Sequence, residues 1–192
     1  YQKLVEALYT QYQIPHFIDQ KQGIMHQPLI ELVRSVLQIF IQYWSYESVF
    51  RYLKTGLLPI DSEHIFLLEN YVLAHGIRGI TQWRNKDWSE VRSEDELEKL
   101  QQEQIQVTKD QVLEPLLAFR EKILPSGQVT VKDITVALYE LLEETEVISM
   151  IKGQINEFQQ KRKHLLVSEM LQSWNILMDV LEKIVEVVGL QK

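Results

Sequence analysis

The sequence predicts a mainly α protein, an irregular helical bundle with at most one short extended segment near the N-terminus. Three observations carry that prediction. Apolar residues recur at three- and four-residue spacing along most of the chain, which lines up one face of a helix. Capping residues stand where those runs begin, and glycine stands where several of them end. Only one stretch, the "QIPHFID" of 13–19, reads as a strand, because it is short, carries Pro15 and is apolar at Ile14, Phe17 and Ile18.

The elements follow in order. Residues 1–12 place Leu4, Val5, Leu8 and Tyr12 on one helical face, ahead of the extended segment. Pro28 suits the first position of a helix over 28–42 with Gln27 as its cap. That helix is apolar on nearly every side, which predicts deep burial. Ser45 caps the next helix, turning Tyr46, Val49, Phe50 and Leu53 inward, and Gly56 supplies the left-handed residue after its last turn. Asp61 caps a third helix, with Ile60 and Ile65 at the staple positions. Gly76 stops it, and His75 suits the negative end of its dipole.

From 80 to 92 the periodicity lapses into a loop carrying Trp83 and Trp88. Ser93 and Glu96 form a capping box for a polar, charge-laced helix. Thr108 and Gln111 then cap a further helix to about Leu124, with Pro115 kinking or restarting it. Residues 125–127 are a turn. Thr130 and Asp133 cap the following helix, Val129 and Ile134 staple it, and Ile134, Leu138, Leu141 and Leu142 form its core face. Two long helices close the chain, one with Ile148, Ile151, Ile155 and Phe158 aligned, the other with Leu171, Trp174, Met178, Leu181, Val185 and Val188. Such sustained spacing suits antiparallel packing in a bundle.

Composition narrows the functional classes. At 192 residues the chain suits one domain, or one plus part of another. No apolar run reaches the roughly 18 residues of a membrane span, and no signal peptide opens the chain. With no cysteine, this chain has no disulfide, thiolate zinc site, iron–sulfur ligation or cysteine nucleophile. An intracellular, cytoplasmic location fits. The net charge of −7 argues against free-standing nucleic-acid binding, which rests on phosphate neutralisation, but leaves room for a local basic patch. The start at Tyr1 and the end straight after a helical pattern suggest a segment of something longer.

The search for chemistry is nearly empty. There is no GxxxxGK[ST], no GxGxxG, no HExxH and no GxSxG. His16, His26, His64, His75 and His164 have no paired ligand spacing, so no metal site and no catalytic residue is assigned. Glu140, Glu143, Glu144 and Glu146 read as a solvated helix end, and the "KRKH" of 161–164 as a wet helix face. The "WRNKDW" loop offers two readings. Trp83 and Trp88 could stack a base while Arg84 and Lys86 clasp a backbone. Both rings could equally fold onto the helices as lids of the core, the reading we favour. Lys54 and Arg78 complete the contact candidates, though Lys54 also suits a helix C-terminus. The candidate DNA-contact set is Lys54, Arg78, Trp83, Arg84 and Lys86.

Three stretches in sequence, "YQIPHFIDQKQGIMHQPLIELVRSVLQIF", "WSYESVFRYLKTGLL" and "LENYVLAHGIRGITQW", resemble the B-subunit family of bacterial ATP-dependent helicase/deoxyribonucleases (AddB). Ile14, Pro15, Phe17, Ile18 and Asp19 match an IPxFID wording. His26, Pro28 and Leu29 match the following helix start, with Gln27 where a second histidine is common. Trp44, Tyr46, Glu47, Val49, Phe50, Arg51, Leu53, Lys54 and Thr55 match WxYExVFRxLKT. Leu68, Glu69, Asn70, Tyr71, Gly76, Ile77, Gly79 and Trp83 match the last stretch. Beyond Trp83 the likeness is looser.

The resemblance implies one half of a two-subunit motor, paired with an AddA-type helicase/nuclease subunit, that processes double-strand DNA breaks for recombinational repair. It implies ATP, Mg2+ and a 4Fe-4S cluster elsewhere in the parent protein. It places 1–58 in a second RecA-like (2A-like) domain and 59–192 in a helical 2B-like insertion. Within that frame the chain is expected to be a non-catalytic structural or DNA-path segment with no membrane association. The alternative is a free-standing helical protein–protein interaction module without a DNA role.

Overall fold

Pro28 opens the first described helix for a reason already present in its covalent structure: its fixed backbone angle and missing N–H cost nothing in a first turn. The computed structural model describes residues 9, 12, 27–85, 88, 96–124 and 128–188. The expected helix over 1–12, apart from Tyr9 and Tyr12, the extended segment at 13–19, the Ser93 cap and the 125–127 turn lie outside those residues, as does Lys86.

Eight helices and no strand are present among the described residues. They are α1 (Pro28–Ile41), α2 (Tyr46–Leu53), α3 (Ser62–Ala74), α4 (Gly79–Arg84), α5 (Glu96–Ile123), α6 (Val131–Glu144), α7 (Val147–Gln160) and α8 (His164–Val188). The mainly α expectation holds. Three side-chain caps hold as well. Ser45 Oγ accepts the Ser48 N–H, Asp61 accepts the Glu63 N–H, and Thr130 and Asp133 exchange both bonds of a capping box.

α1 packs chiefly on α2, α3 on α5, and α5 on α6; α6, α7 and α8 pack against one another, and α8 returns to α1. One core cluster runs through all of them, from Leu29 to Leu177. Leu57 and Leu58 belong to it, and Gln154 donates to the Gly56 carbonyl at 2.9 Å. Packing is therefore shared across position 58, where the resemblance places a domain division.

Several expectations change. α1 is not buried all round: Leu29, Leu32, Val33, Val36 and Ile39 face the core, while Ile41 is exposed. The 80–92 region contains α4, a helix too short for periodicity to register. α5 is one helix of 28 residues instead of two. Thr108 lies inside it, fully buried, with its hydroxyl donating to the Gln104 carbonyl in place of capping, and Pro115 is accommodated in the interior. Of the "KRKH" run, residues 161–163 form the turn between α7 and α8, with Arg162 in the left-handed region, and only His164 belongs to a helix.

In α8 the expected stripe holds in large part, with Trp174, Met178 and Leu181 half-buried against the core. Val167, Ser173 and Leu177 are buried, whereas Leu171 is 46% exposed. Leu171 shares the expected 3-4 spacing, but it is left outside the side that α8 packs on α1, α6 and α7. Leu177→Ala should lower the unfolding free energy by about 2–5 kcal/mol and Leu171→Ala by at most about 0.5 kcal/mol. Urea titrations of the two variants check this; equal losses would place α8 in another register.

Candidate nucleic-acid interface

The exit of α3 builds the candidate surface. Gly76 takes a φ of 60°, and the Ile77 N–H reaches back to the Val72 carbonyl at 3.0 Å, so the helix ends in a Schellman motif with Ile77 buried. The chain then extends through Arg78, whose N–H donates to Gln82 Oε1. Gly79 turns it into α4 at a φ of 74°, a conformation that strains any residue with a Cβ. The Gly79 N–H donates to the Trp44 carbonyl at 3.3 Å, which docks this corner on the end of α1.

The two tryptophans are lids of the core. Trp83 is wholly buried and Trp88 nearly so. Their ring centroids are 5.2 Å apart; Trp88 stacks on Tyr71 at 5.3 Å and Trp83 tilts against Trp44 at 6.2 Å. Trp88 Nε1 donates to the Gln82 carbonyl at 3.0 Å, and the Tyr71 hydroxyl and Gln102 amide both donate to the Trp88 carbonyl. Trp83 thus presents no ring face for a base while this packing holds. Lys109, which the sequence reading did not single out, is itself only 2% exposed. Its ammonium lies 5.0 Å from the Trp88 ring centroid and donates to the Asn85 carbonyl at 3.0 Å, so it braces the loop from inside.

The candidate cations separate into two groups. Lys54, at the C-terminal cap of α2, is held by Glu69 of α3 at 2.5 Å. Tyr46 donates to the same carboxylate oxygen at 2.5 Å. Burial pushes the Glu69 carboxyl up, but the Lys54 and Tyr46 hydrogen bonds and the Lys54 charge outweigh it, so the net shift is downward. The hydrogen bond to Glu69, followed by burial, pushes the Tyr46 phenol up to about 12. Lys54 is therefore committed to a tie between helices. Arg78 and Arg84 are both exposed, at the two ends of α4, with no acidic partner in ion-pair range among the described residues. Lys86 lies outside the described residues. Beside this corner, Tyr43 carries an 83% exposed side chain that the periodicity did not single out.

The remaining clusters read as structural. Lys122 sits between Glu140 at 2.9 Å and Glu144 at 3.1 Å, which accounts for part of the acidic run. Among the described residues no three His, Cys, Asp or Glu side chains are placed to hold a metal ion. With no cysteine, this chain offers no thiolate ligand to an iron–sulfur cluster, and its sequence contains no GxxxxGK[ST] loop. No described helix is long and apolar enough to cross a membrane.

Comparison with known proteins gives a consistent likeness. The chain is 38% identical over 199 residues to a Clostridium acetobutylicum protein named as the B subunit of an ATP-dependent helicase/deoxyribonuclease, covering 100% of this chain. Proteins of the same name from Ruminiclostridium cellulolyticum and Acetivibrio thermocellus are 43% and 42% identical over 195 residues, covering 98% of it. The chain spans only 17% of the length of each of these relatives. No protein-family model matches it.

Glu69 generates a pH-dependent stability. Because its native carboxyl titrates below the ordinary 4.5, the unfolded chain takes up this proton more readily than the folded one. The stabilisation is complete above the ordinary value and is lost as pH falls through the lowered native value. Glu69→Gln should lower the urea midpoint at pH 7, with the gap to wild type closing as the pH drops below that range. A gap that stays constant down the acid limb would remove the carboxylate from the account.

Proposed function

The chain belongs to the B-subunit family of ATP-dependent helicase/deoxyribonucleases, and we propose that within the parent protein it is a non-catalytic helical segment lining a DNA path. The observation that carries this reading is the Arg78–Arg84 pair. Two exposed guanidinium groups, without acidic partners among the described residues, flank a helix fixed to the core by Trp83 in a chain of net charge −7. Side chains set this way meet phosphates and position a duplex or strand without performing a reaction. The parent, on this proposal, acts with an AddA-type partner on broken DNA ends in recombinational repair. ATP, Mg2+ and a 4Fe-4S cluster would be held by other parts of it. Residues 1–58 would fall in a 2A-like domain and 59–192 in a 2B-like insertion.

A second reading, a helical interaction module without a DNA role, is favoured by one feature. Between α6 and α8 lies an open apolar groove lined by Val136, Tyr139, Met178, Leu181 and Val185. A groove of this kind takes a helix of another chain or of another part of the same chain.

Charge reversal separates the two readings. In the assembled two-subunit enzyme, Arg78→Glu with Arg84→Glu should weaken DNA binding and reduce the slope of log affinity against log salt by about 2. An unchanged slope, with the assembly intact, would favour the interaction module.

A further inference from the structure

The structure leaves one aromatic ring beside the arginine corner, and it is neither tryptophan. Tyr43 is 83% exposed, the most exposed of the large apolar side chains among the described residues. It follows the capping residue of α1 with a φ of 51°, and the Trp44 N–H closes the turn on the Ile39 carbonyl at 2.7 Å. Glycine or asparagine is the strain-free choice at such a position; a ring attached to a left-handed backbone is disfavoured locally. Nor does the ring add to the core, since its surface is in solvent. Trp44, the next residue, is buried, so the backbone reverses sharply between an outward ring and an inward one.

The site around it is fixed. Gly79 approaches this reversal closely, with its N–H on the Trp44 carbonyl and the Tyr43 carbonyl 3.8 Å from where a Cβ would stand. Arg78 is thus one residue away from the point of contact, and Arg84 stands at the other end of α4. An exposed ring, with one exposed arginine next to its backbone contact and a second at the far end of the following helix, suits stacking of an unpaired base while its backbone phosphates are neutralised. Duplex DNA, whose bases are already stacked, offers the ring nothing comparable. The geometry points to Tyr43 as a stacking platform for an unpaired base of a single-stranded nucleic acid, with Arg78 and Arg84 on the phosphates. This inference rests on the DNA-path reading above and names the strand form that the corner takes.

Stacking and charge neutralisation leave different signatures, so the two can fail separately. The experiment uses the whole parent protein assembled with its AddA-type partner, a labelled oligothymidylate, a labelled blunt duplex and a salt series. Tyr43→Asn removes the ring and suits the left-handed backbone, so folding is retained. It should weaken binding of the single strand by about tenfold at every salt concentration, leaving the salt slope and duplex binding unchanged. Tyr43→Phe, which keeps the ring, should bind as wild type. In a thermal melt, Tyr43→Asn should be at least as stable as wild type, so that stability and binding move in opposite directions. If Tyr43→Asn binds the single strand as wild type while the double arginine variant lowers the salt slope, the stacking role falls and the DNA-path reading stands. If neither variant changes binding, both fall. If Tyr43→Phe is as weak as Tyr43→Asn, the hydroxyl and not the ring makes the contact, and stacking is overturned. Loss of the AddA-type partner from Tyr43→Asn would assign the ring to a protein contact and overturn the proposal.

Discussion

A connected run of aromatic rings determines where everything near the candidate surface sits. Phe119 of α5 meets Phe40 of α1 at 5.5 Å; Phe40 meets Trp44 edge-on at 6.0 Å; Trp44 meets Trp83 of α4 at 6.2 Å. The run continues through Trp88 to Tyr71 of α3 and ends on His75, stacked at 4.0 Å. Each such pair is worth about 0.5–1.5 kcal/mol beyond the area that it buries. Their joint effect is geometric. A helix of six residues has no stability of its own in water, because nucleation costs more than so few hydrogen bonds return. α4 exists because Trp83 holds it in this run, and the positions of Arg78 and Arg84 follow.

Polar groups complete the joint where rings cannot. Glu69 is nearly buried, and an isolated carboxylate there would be costly; Lys54 and Tyr46 together satisfy it and tie α2 to α3. Lys109 poses the same difficulty with the opposite sign. Its ammonium is buried against Trp88, and it is tolerated because the Asn85 carbonyl accepts from it and the ring faces it. Neither arrangement is weighty as a surface ion pair would be counted. Both specify one packing, since any other leaves a buried charge without a partner.

This division explains what the sequence could and could not disclose. Caps are local: Ser45, Asp61 and Thr130 act within three residues of themselves, so they were legible, and so was the Gly76 stop. The merging of α5 was not, because Thr108 and Pro115 carry breaking signals that the packed surroundings override. Leu171 kept its spacing and lost its burial because the partners of α8 set where the periodic stripe is covered and where it ends. At the candidate surface, an aromatic beside a cation describes both a base platform and a core lid braced by lysine. Trp88 with Lys109 realises the second, far apart in sequence and adjacent only in space. Tyr43 carried no signal at all, since exposure at a helix exit depends on which way the reversal at Trp44 turns.

Several of the residues that carry the family likeness belong to the joint. Trp44, Tyr46, Lys54, Glu69, Tyr71, Gly79 and Trp83 all appear in the matching stretches, and each has a structural partner described above. Such a motif therefore reports how the segment is held together more directly than what it touches. Contact residues have the opposite requirement: they must be exposed and without internal partners, conditions that leave little trace in a pattern of burial. Arg78, placed between the Gly76 stop and the Gly79 turn, lies at the meeting of the two classes. Its backbone is held by the joint and its guanidinium has no acidic partner among the described residues, which is the arrangement expected of a side chain displayed by a rigid corner instead of stored within it.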